Sequence, residues 1–354
     1  MKMKAAILIK EGEQPEIREV DIPEITDHEV LVKVRACGTC RSDVGMIRGY
    51  IDHKPYPFIP GHEPMGLVAR VGKNVQHIKE GMKVAVDPIV YCGYCKNCLA
   101  GKTHICFKWR HGIDGCGSIG RHMDGGWADY VKAPAKNCVV IPDEMSDEEA
   151  AILVDAAATP FHAVRRAHIE MGDTVAIFGL GGLGLNGIQF TRLMTGVRII
   201  GVDTEQYKMD IAKELGADEL IHADDSELAD RIQRLTGGLG VDIAMDFSGE
   251  TKAIEQAINV LRLGGRAVIA GCAGKPFRVG GLKCCVDEVE IIGSHGFTHG
   301  EILEIVELVK QGKVNFKKMV SHKIPLEDVN FAMNLLSDPK LASLEKPLRI
   351  VLKV

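Results

Sequence analysis

Thr174-Val175-Ala176-Ile177-Phe178-Gly179-Leu180-Gly181-Gly182-Leu183-Gly184 is the stretch whose reading decides the fold. Five strand-forming residues run straight into a glycine-rich turn, and the run from Leu185 to Met194 then reads as a helix. Strand, G-x-G-x-x-G and helix in that order form a dinucleotide-binding fingerprint, against the alternative of a glycine-rich turn in an unliganded α/β domain. Gly179 permits the tight turn, Gly181 lets backbone approach a pyrophosphate, and Gly184 lets the helix lie close on the sheet. Gly182 and Leu183 belong to the same cofactor-binding stretch, and the N-terminus of the helix that follows offers partial positive charge to an anion. The next strand ends at Asp203, nineteen positions past Gly184. A carboxylate there accepts the ribose hydroxyl protons, which favours NAD over NADP because a 2'-phosphate would meet like charge. Lys208 is the nearest cation that could rescue some NADP binding, and Asp203 has the competing reading of a cap for the helix beginning near Glu205.

Working outward, apolar strand runs at 174–178, 198–202, 219–222, 242–247, 266–270 and 289–292 alternate with helical runs. Six strands arranged this way imply a doubly wound parallel sheet, an α/β fold of the Rossmann type. Residues 1 to about 150 look different, with short alternating segments such as Glu29-Val30-Leu31-Val32-Lys33-Val34 between Gly and Pro turns, and read as a β-rich, partly barrel-like domain. A helix over 301–310 leads to a strand at 348–352 that rejoins this first domain. The expected organisation is a catalytic domain over 1–157, a nucleotide-binding domain over 158–297, and a C-terminal return over 298–354.

With 48 acidic and 43 basic side chains, the chain lacks the electrostatic footprint of a nucleic-acid binder, so small molecules are the expected ligands. No apolar run reaches membrane-spanning length, and the N-terminus turns polar at Lys10-Glu11, too early for a signal peptide. The expected location is the cytoplasm. In a reduced compartment, clustered cysteines among the eleven present more often hold metal than pair as disulfides. Cys92, Cys95 and Cys98 form CxxCxxC, and Cys106 follows eight positions later. Four thiolates so close in sequence can wrap one tetrahedral zinc and leave no position for substrate, which makes that zinc structural. The run lacks the spacing and trailing proline of a ferredoxin-type iron–sulfur site.

Three dispersed pieces carry the remaining polar chemistry: Cys37-Gly38-Thr39-Cys40-Arg41-Ser42-Asp43, Gly61-His62-Glu63, and Asp155 before Ala156-Ala157-Ala158-Thr159-Pro160. Taken singly they read as a buried cysteine, a turn histidine and a helix-capping aspartate. Together, in order with the cysteine lobe and the glycine fingerprint, they resemble the zinc-containing medium-chain alcohol dehydrogenase family over essentially the whole chain. The resemblance implies a GroES-like catalytic domain joined to the Rossmann domain, and a second zinc held by Cys40, His62 and Asp155. It further places Glu63 close behind that zinc, Ser42 facing the substrate oxygen, and Thr159 beside the nicotinamide. Arg41 and Arg349 go toward the pyrophosphate, with a solvated arginine on a strand as the competing reading of Arg349. Gly271-Cys272 and His295-Gly296-Phe297 go near the carboxamide. Many relatives have cysteine where Asp155 stands, while some bacterial secondary-alcohol dehydrogenases have aspartate.

The chemistry of that donor set is coherent in itself. One thiolate and one carboxylate offset the zinc charge, His62 is neutral, and a fourth position stays open for the alcohol or water. Such a zinc is a Lewis acid that lowers the pKa of a bound alcohol and so promotes loss of hydride to NAD. Asp43 is positioned in sequence to orient the other nitrogen of His62. Many relatives end their proton relay in a histidine five positions after the cysteine ligand, where this chain has Gly45; the proton then passes to water directly or through a group such as His53. Cys37, three positions before Cys40, is read as packing, since a redox CxxC expects a thioredoxin-like setting. The expected activity is reversible oxidation of a primary or secondary alcohol or polyol with NAD, requiring two zinc ions per chain. A zinc-free quinone or enoyl reductase of the same superfamily, and a non-catalytic NAD sensor, are the competing functions. Loops around 50–58 and 107–111, including Tyr50 and Trp109, are the candidate pocket walls. Family resemblance implies a homodimer or homotetramer joined through the nucleotide-binding domains.

Overall fold

The computed structural model describes residues 1–271 and 275–354, so Cys272 lies outside the described residues. Two compact units emerge: residues 1–155 with 298–354, and residues 156–297.

In the first unit, a seven-stranded sheet runs in the order Val320–Pro325, Arg349–Lys353, Glu29–Gly38, Glu63–Val71, Lys83–Val86, Cys138–Val140, with Tyr130–Pro134 also paired to Glu29–Gly38. Glu29–Gly38 is its spine, antiparallel to both Arg349–Lys353 and Glu63–Val71. Its alternating Val30, Val32 and Val34 belong to one buried cluster with Trp127, Val84 and Leu352. The sequence therefore closes the sheet with residues more than 300 positions apart: Leu352 stands opposite Cys37 and Val351 opposite Gly38. Gly66 is dictated by this packing, because a Cβ there would lie 1.9 Å from the Lys33 carbonyl oxygen.

In the second unit, six parallel strands run Glu219–His222, Arg198–Asp203, Thr174–Phe178, Val241–Asp246, Leu261–Ile269, Glu290–Gly293. In chain order this is 3-2-1-4-5-6, the doubly wound arrangement, whose switch point lies where the first and fourth strands adjoin. Thr174–Phe178 is buried almost throughout, as a strand covered on both faces must be. The fingerprint helix is Gly182–Arg192, starting earlier than the apolar run alone indicates. The fifth strand also begins earlier than expected, at Leu261 and not Arg266, with a register shift against its neighbour between the Leu261 and Arg266 pairs. The helix expected from 301 starts at His299, because Thr298 and Glu301 form a reciprocal capping box. No described helix is long and apolar enough to cross a membrane.

Gly66→Ala is expected to destabilise the first unit by about 2–4 kcal/mol, since backbone and not a flexible side chain must give way. Denaturant unfolding checks this; an unchanged midpoint would show that the strand pair tolerates a methyl group.

Candidate metal centres and nucleotide site

Cys40 immediately precedes the short helix Arg41–Ile47 and acts as its N-cap, forming a reciprocal box with Asp43. The Cys40 N–H donates to Asp43 Oδ2 at 2.8 Å. The other oxygen, Oδ1, lies 3.1 Å from His62 Nδ1. Since a carboxylate only accepts, Nδ1 carries the proton and Nε2 keeps a lone pair for a metal. Asp43 is 1% exposed, so one buried carboxylate fixes two of the three ligands inferred from sequence. Burial opposes a charge on His62, but Asp43, Asp155 and Cys40 together outweigh it and raise the imidazole pKa.

Asp155 enters from another direction. The helix Asp147–Ile152 passes into a π-helical turn, Leu153–Ala157, which carries Asp155. The sequence alternative of a helix cap is therefore not what the structure has. A π-turn widens the helix by one residue and re-aims a side chain, a distortion frequent at functional sites. Asp155 Oδ2 lies 3.8 Å from His62 Nε2, as does Glu63 Oε1. Donor atoms of Cys40, His62, Glu63 and Asp155 all fall within 4.8 Å of one another.

Glu63 is completely buried and its carboxylate pairs with the Arg349 guanidinium. Three adjacent strands make this pair: Arg349 starts Arg349–Lys353, Glu63 starts Glu63–Val71, and Gly38 on the strand between stands opposite Glu63. A Cβ at Gly38 would lie 2.2 Å from Glu63 Oε2, so the glycine makes room for the carboxylate. Burial pushes Glu63 up to about 8, against the pull of Arg349. Glu63 Oε2 is buried without a hydrogen-bond partner, while Oε1 is the oxygen turned to both Arg349 and His62. Arg349 is 4% exposed and pairs with Glu63, so the competing reading of a solvated arginine does not hold. Sulfur, nitrogen and carboxylate oxygen, with an orphaned buried oxygen beside them, fit zinc.

The four-cysteine lobe fits zinc by distance. Sγ separations are 3.9 Å for Cys92–Cys98 and Cys95–Cys106, and 3.5 Å for Cys95–Cys98 and Cys92–Cys106. A tetrahedron with Zn–S bonds of about 2.3 Å sets sulfurs about 3.8 Å apart. Backbone N–H donors at Cys98 and Phe107 bring Cys95 down to about 6, favouring the thiolate a metal needs. Cys37, by contrast, is fully buried and burial raises its pKa, so packing is its role.

Ser42 lies second in the helix that Cys40 caps and is partly buried; Arg41 before it is exposed. Gly45, where the relay histidine was absent from the sequence, is not an empty position: a Cβ there would lie 2.6 Å from Ile51 Cδ1 and 2.8 Å from Tyr50 Cε2. His53 stacks on Phe58 at 4.9 Å, with Nδ1 2.6 Å from the Lys54 carbonyl.

In the second unit, Gly179 has φ +85° and Gly184 lies so close to the Gly179 carbonyl that a Cβ would be 1.9 Å away. These two are glycines for the protein's own packing. Gly181 differs: φ is −75° and nothing lies within 4 Å of its Cβ position. No part of the described protein demands glycine there, which fits a cradle kept open for a ligand's phosphates. Asp203 is 7% exposed; its Oδ2 accepts from Leu180 N–H (2.6 Å) and Oδ1 from Glu205 N–H (2.9 Å), with Lys208 Nζ at 3.5 Å. It therefore braces both the glycine turn and the next helix. Thr159 and Phe297 are buried and His295 is exposed, while Gly271 packs against the turn after Val241–Asp246.

Residues 26–143 match the alcohol dehydrogenase GroES-like domain and residues 182–311 the zinc-binding dehydrogenase domain. An alcohol dehydrogenase of Geobacillus stearothermophilus is 33% identical over 355 residues, covering 99% of this chain and 100% of that protein. An NAD-dependent alcohol dehydrogenase of Sulfurisphaera tokodaii is 31% identical over 347 residues, covering 96% and 97%. A solved Sinorhizobium meliloti structure, described as a zinc-binding dehydrogenase bound to NADP, superposes with a TM-score of 0.89 at 28% identity, each chain covered fully. The chain belongs to the zinc-containing medium-chain dehydrogenase/reductase family.

Replacing Asp43 by Ala is expected to weaken metal binding at the Cys40/His62/Asp155 cluster by about 10–100-fold, because both ligands lose their orientation. Chelator competition followed by metal analysis checks this; the four-cysteine lobe should keep its zinc, and equal retention at both sites would contradict the role given to Asp43.

Proposed function

We propose that the chain is a zinc-dependent alcohol dehydrogenase that transfers hydride reversibly between a primary or secondary alcohol, or a polyol, and NAD. The observation that carries this reading is the convergence of Cys40, His62, Glu63 and Asp155 donors around one point, with His62 oriented by Asp43. When bound, zinc supplies Lewis acidity at the alcohol oxygen and the nicotinamide accepts the hydride. Cys40, His62 and Asp155 would hold the metal, and Glu63, tied to Arg349, tempers the charge behind it. Ser42 relays the alcohol proton, and since Gly45 offers no side chain and Tyr50 and Ile51 lie over it, the proton reaches water by another path.

A second zinc in the four-cysteine lobe is structural, giving two per chain. Among the nucleotide-side residues, Gly179, Gly181, Gly182, Leu183 and Gly184 would seat the pyrophosphate and Asp203 the ribose, with NAD preferred to NADP. Arg41, Thr159, Gly271, His295 and Phe297 are proposed cofactor or substrate contacts on the family resemblance. The cytoplasm is the proposed location. A homodimer or homotetramer is proposed, supported by the edge strand Glu290–Gly293, whose Glu290, Ile291 and Gly293 are exposed beside exposed Leu282 and Val286.

Asp155→Ala is expected to remove one zinc of two and abolish NAD reduction by alcohols, with the fold retained. Full activity with both zinc ions in place would shift the third ligand to Glu63. For the nucleotide, Asp203→Gly should lower the ratio of kcat/KM with NAD to that with NADP by roughly tenfold or more. It also loosens the glycine turn that Asp203 braces, so both nucleotides bind less well; an unchanged ratio leaves Asp203 a purely structural carboxylate.

A further inference from the structure

The segment 48–61 joins the helix that Cys40 caps to His62, so its conformation bears directly on two of the catalytic donors. Its first part is anchored on that helix: Tyr50 N–H and Ile51 N–H both donate to the Gly45 carbonyl, at 3.1 and 3.3 Å. Its last part is anchored on the loop 118–125, where Ile59 N–H donates to Asp124 Oδ1 at 3.0 Å and Gly120 packs against Gly61 and His62. Between these anchors stands Asp52.

Arg121 grips Asp52 twice. Its Nε donates to the Asp52 carbonyl at 2.6 Å, and its Nη2 pairs with Oδ1. The other carboxylate oxygen, Oδ2, faces Arg110 Nη1 at 3.5 Å and His122 Nε2 at 3.6 Å. The chain returns the grip, since Lys54 N–H donates to the Arg121 carbonyl at 2.9 Å. Arg110 is the informative partner. It sits in Phe107–His111, the helix capped by the zinc-lobe ligand Cys106, and its own N–H donates to the Cys106 carbonyl at 3.0 Å. His122 is locked by the same lobe: its Nδ1 accepts from Ser118 N–H at 3.0 Å, and Ser118 pairs with Ile89 on the strand leading into Cys92. Asp52 is thus the point where groups fixed by the four-cysteine lobe meet the segment between Cys40 and His62.

The Asp52 side chain is 57% exposed. An ion pair so wet adds little to global stability, so a contact that engages a carbonyl, both carboxylate oxygens, two guanidiniums and an imidazole is better explained by geometry than by stability. We infer that Asp52 is a positioning residue that couples the four-cysteine lobe to the segment 48–61, so that the structural-metal lobe sets how the alcohol is held. The alcohol part of this rests on the function proposed above; the mechanical coupling does not.

Hydrogen exchange and steady-state kinetics on the full-length enzyme test both parts, using Asp52→Asn, Asp52→Glu, Arg121→Gln and the Asp52→Asn/Arg121→Gln double variant. Asp52→Asn should raise amide exchange across 50–58 and in 107–111 while zinc content holds at the wild-type value. KM for alcohols should rise roughly three- to tenfold, kcat should change less, and KM for NAD should stay constant. Asp52→Glu should recover most of the loss, and the double variant should be no worse than the worse single. Unchanged exchange in 50–58 on Asp52→Asn overturns the coupling, and additive losses in the double variant overturn the Arg121 route. If the wild-type chain reduces NAD with no alcohol, the proposed function fails, and the exchange measurement still decides the coupling.

Discussion

The Asp43 carboxylate, buried and shared between the Cys40 backbone N–H and His62 Nδ1, is the contact on which the site depends. It settles the tautomer of His62, and so which nitrogen faces a metal. It also closes the first turn of the helix that Cys40 caps, which fixes the backbone from which the thiol projects. One buried carboxylate performs both tasks.

Around that contact the fold supplies donors from separated segments. The antiparallel spine Glu29–Gly38 delivers Cys40 just past its end, the paired strand starts at Glu63 with His62 before it, and the returning C-terminal strand brings Arg349 to Glu63. Thr39 pins this junction through its N–H and hydroxyl, both donating to the Ile350 carbonyl. Asp155 arrives on a π-turn. Sheet register therefore fixes the cluster, and a small glycine, Gly38, decides whether Glu63 fits. The second unit is organised by different means: Asp203 binds the Leu180 N–H, so the carboxylate expected to meet ribose also shapes the turn expected to meet phosphate.

What was legible in the sequence was whatever short-range spacing encodes. The glycine fingerprint, the CxxCxxC run with Cys106, and the alternation of six strands each announce their geometry within a few residues, and each is present in the structure. Asp43 was legible as a partner for His62, but its second task, the capping box with Cys40, was not. Nor was the place of Arg349. Its partner Glu63 is 286 positions away and reaches it only through the register of three strands. The π-turn at Asp155 left no signal, since Leu153-Val154-Asp155-Ala156-Ala157 has ordinary helical composition. At Gly45 the sequence disclosed a missing histidine, but that Tyr50 and Ile51 occupy the space is a fact of packing. The early start of the fifth strand at Leu261 was missed for a related reason, because a paired neighbour can hold glycine in a strand.

The central claim is a chain with two chemically distinct zinc sites, one of four sulfurs and one of a sulfur, a nitrogen and a carboxylate. X-ray absorption at the zinc edge, with metal content determined on the same sample, tests it most directly. The account predicts two zinc ions per chain and an average of about 2.5 sulfur ligands per zinc, since Cys40 adds a fifth sulfur to the four of the lobe, with the remaining ligands nitrogen or oxygen. One zinc per chain with an all-sulfur shell would contradict it, leaving the Cys40, His62 and Asp155 cluster without its metal.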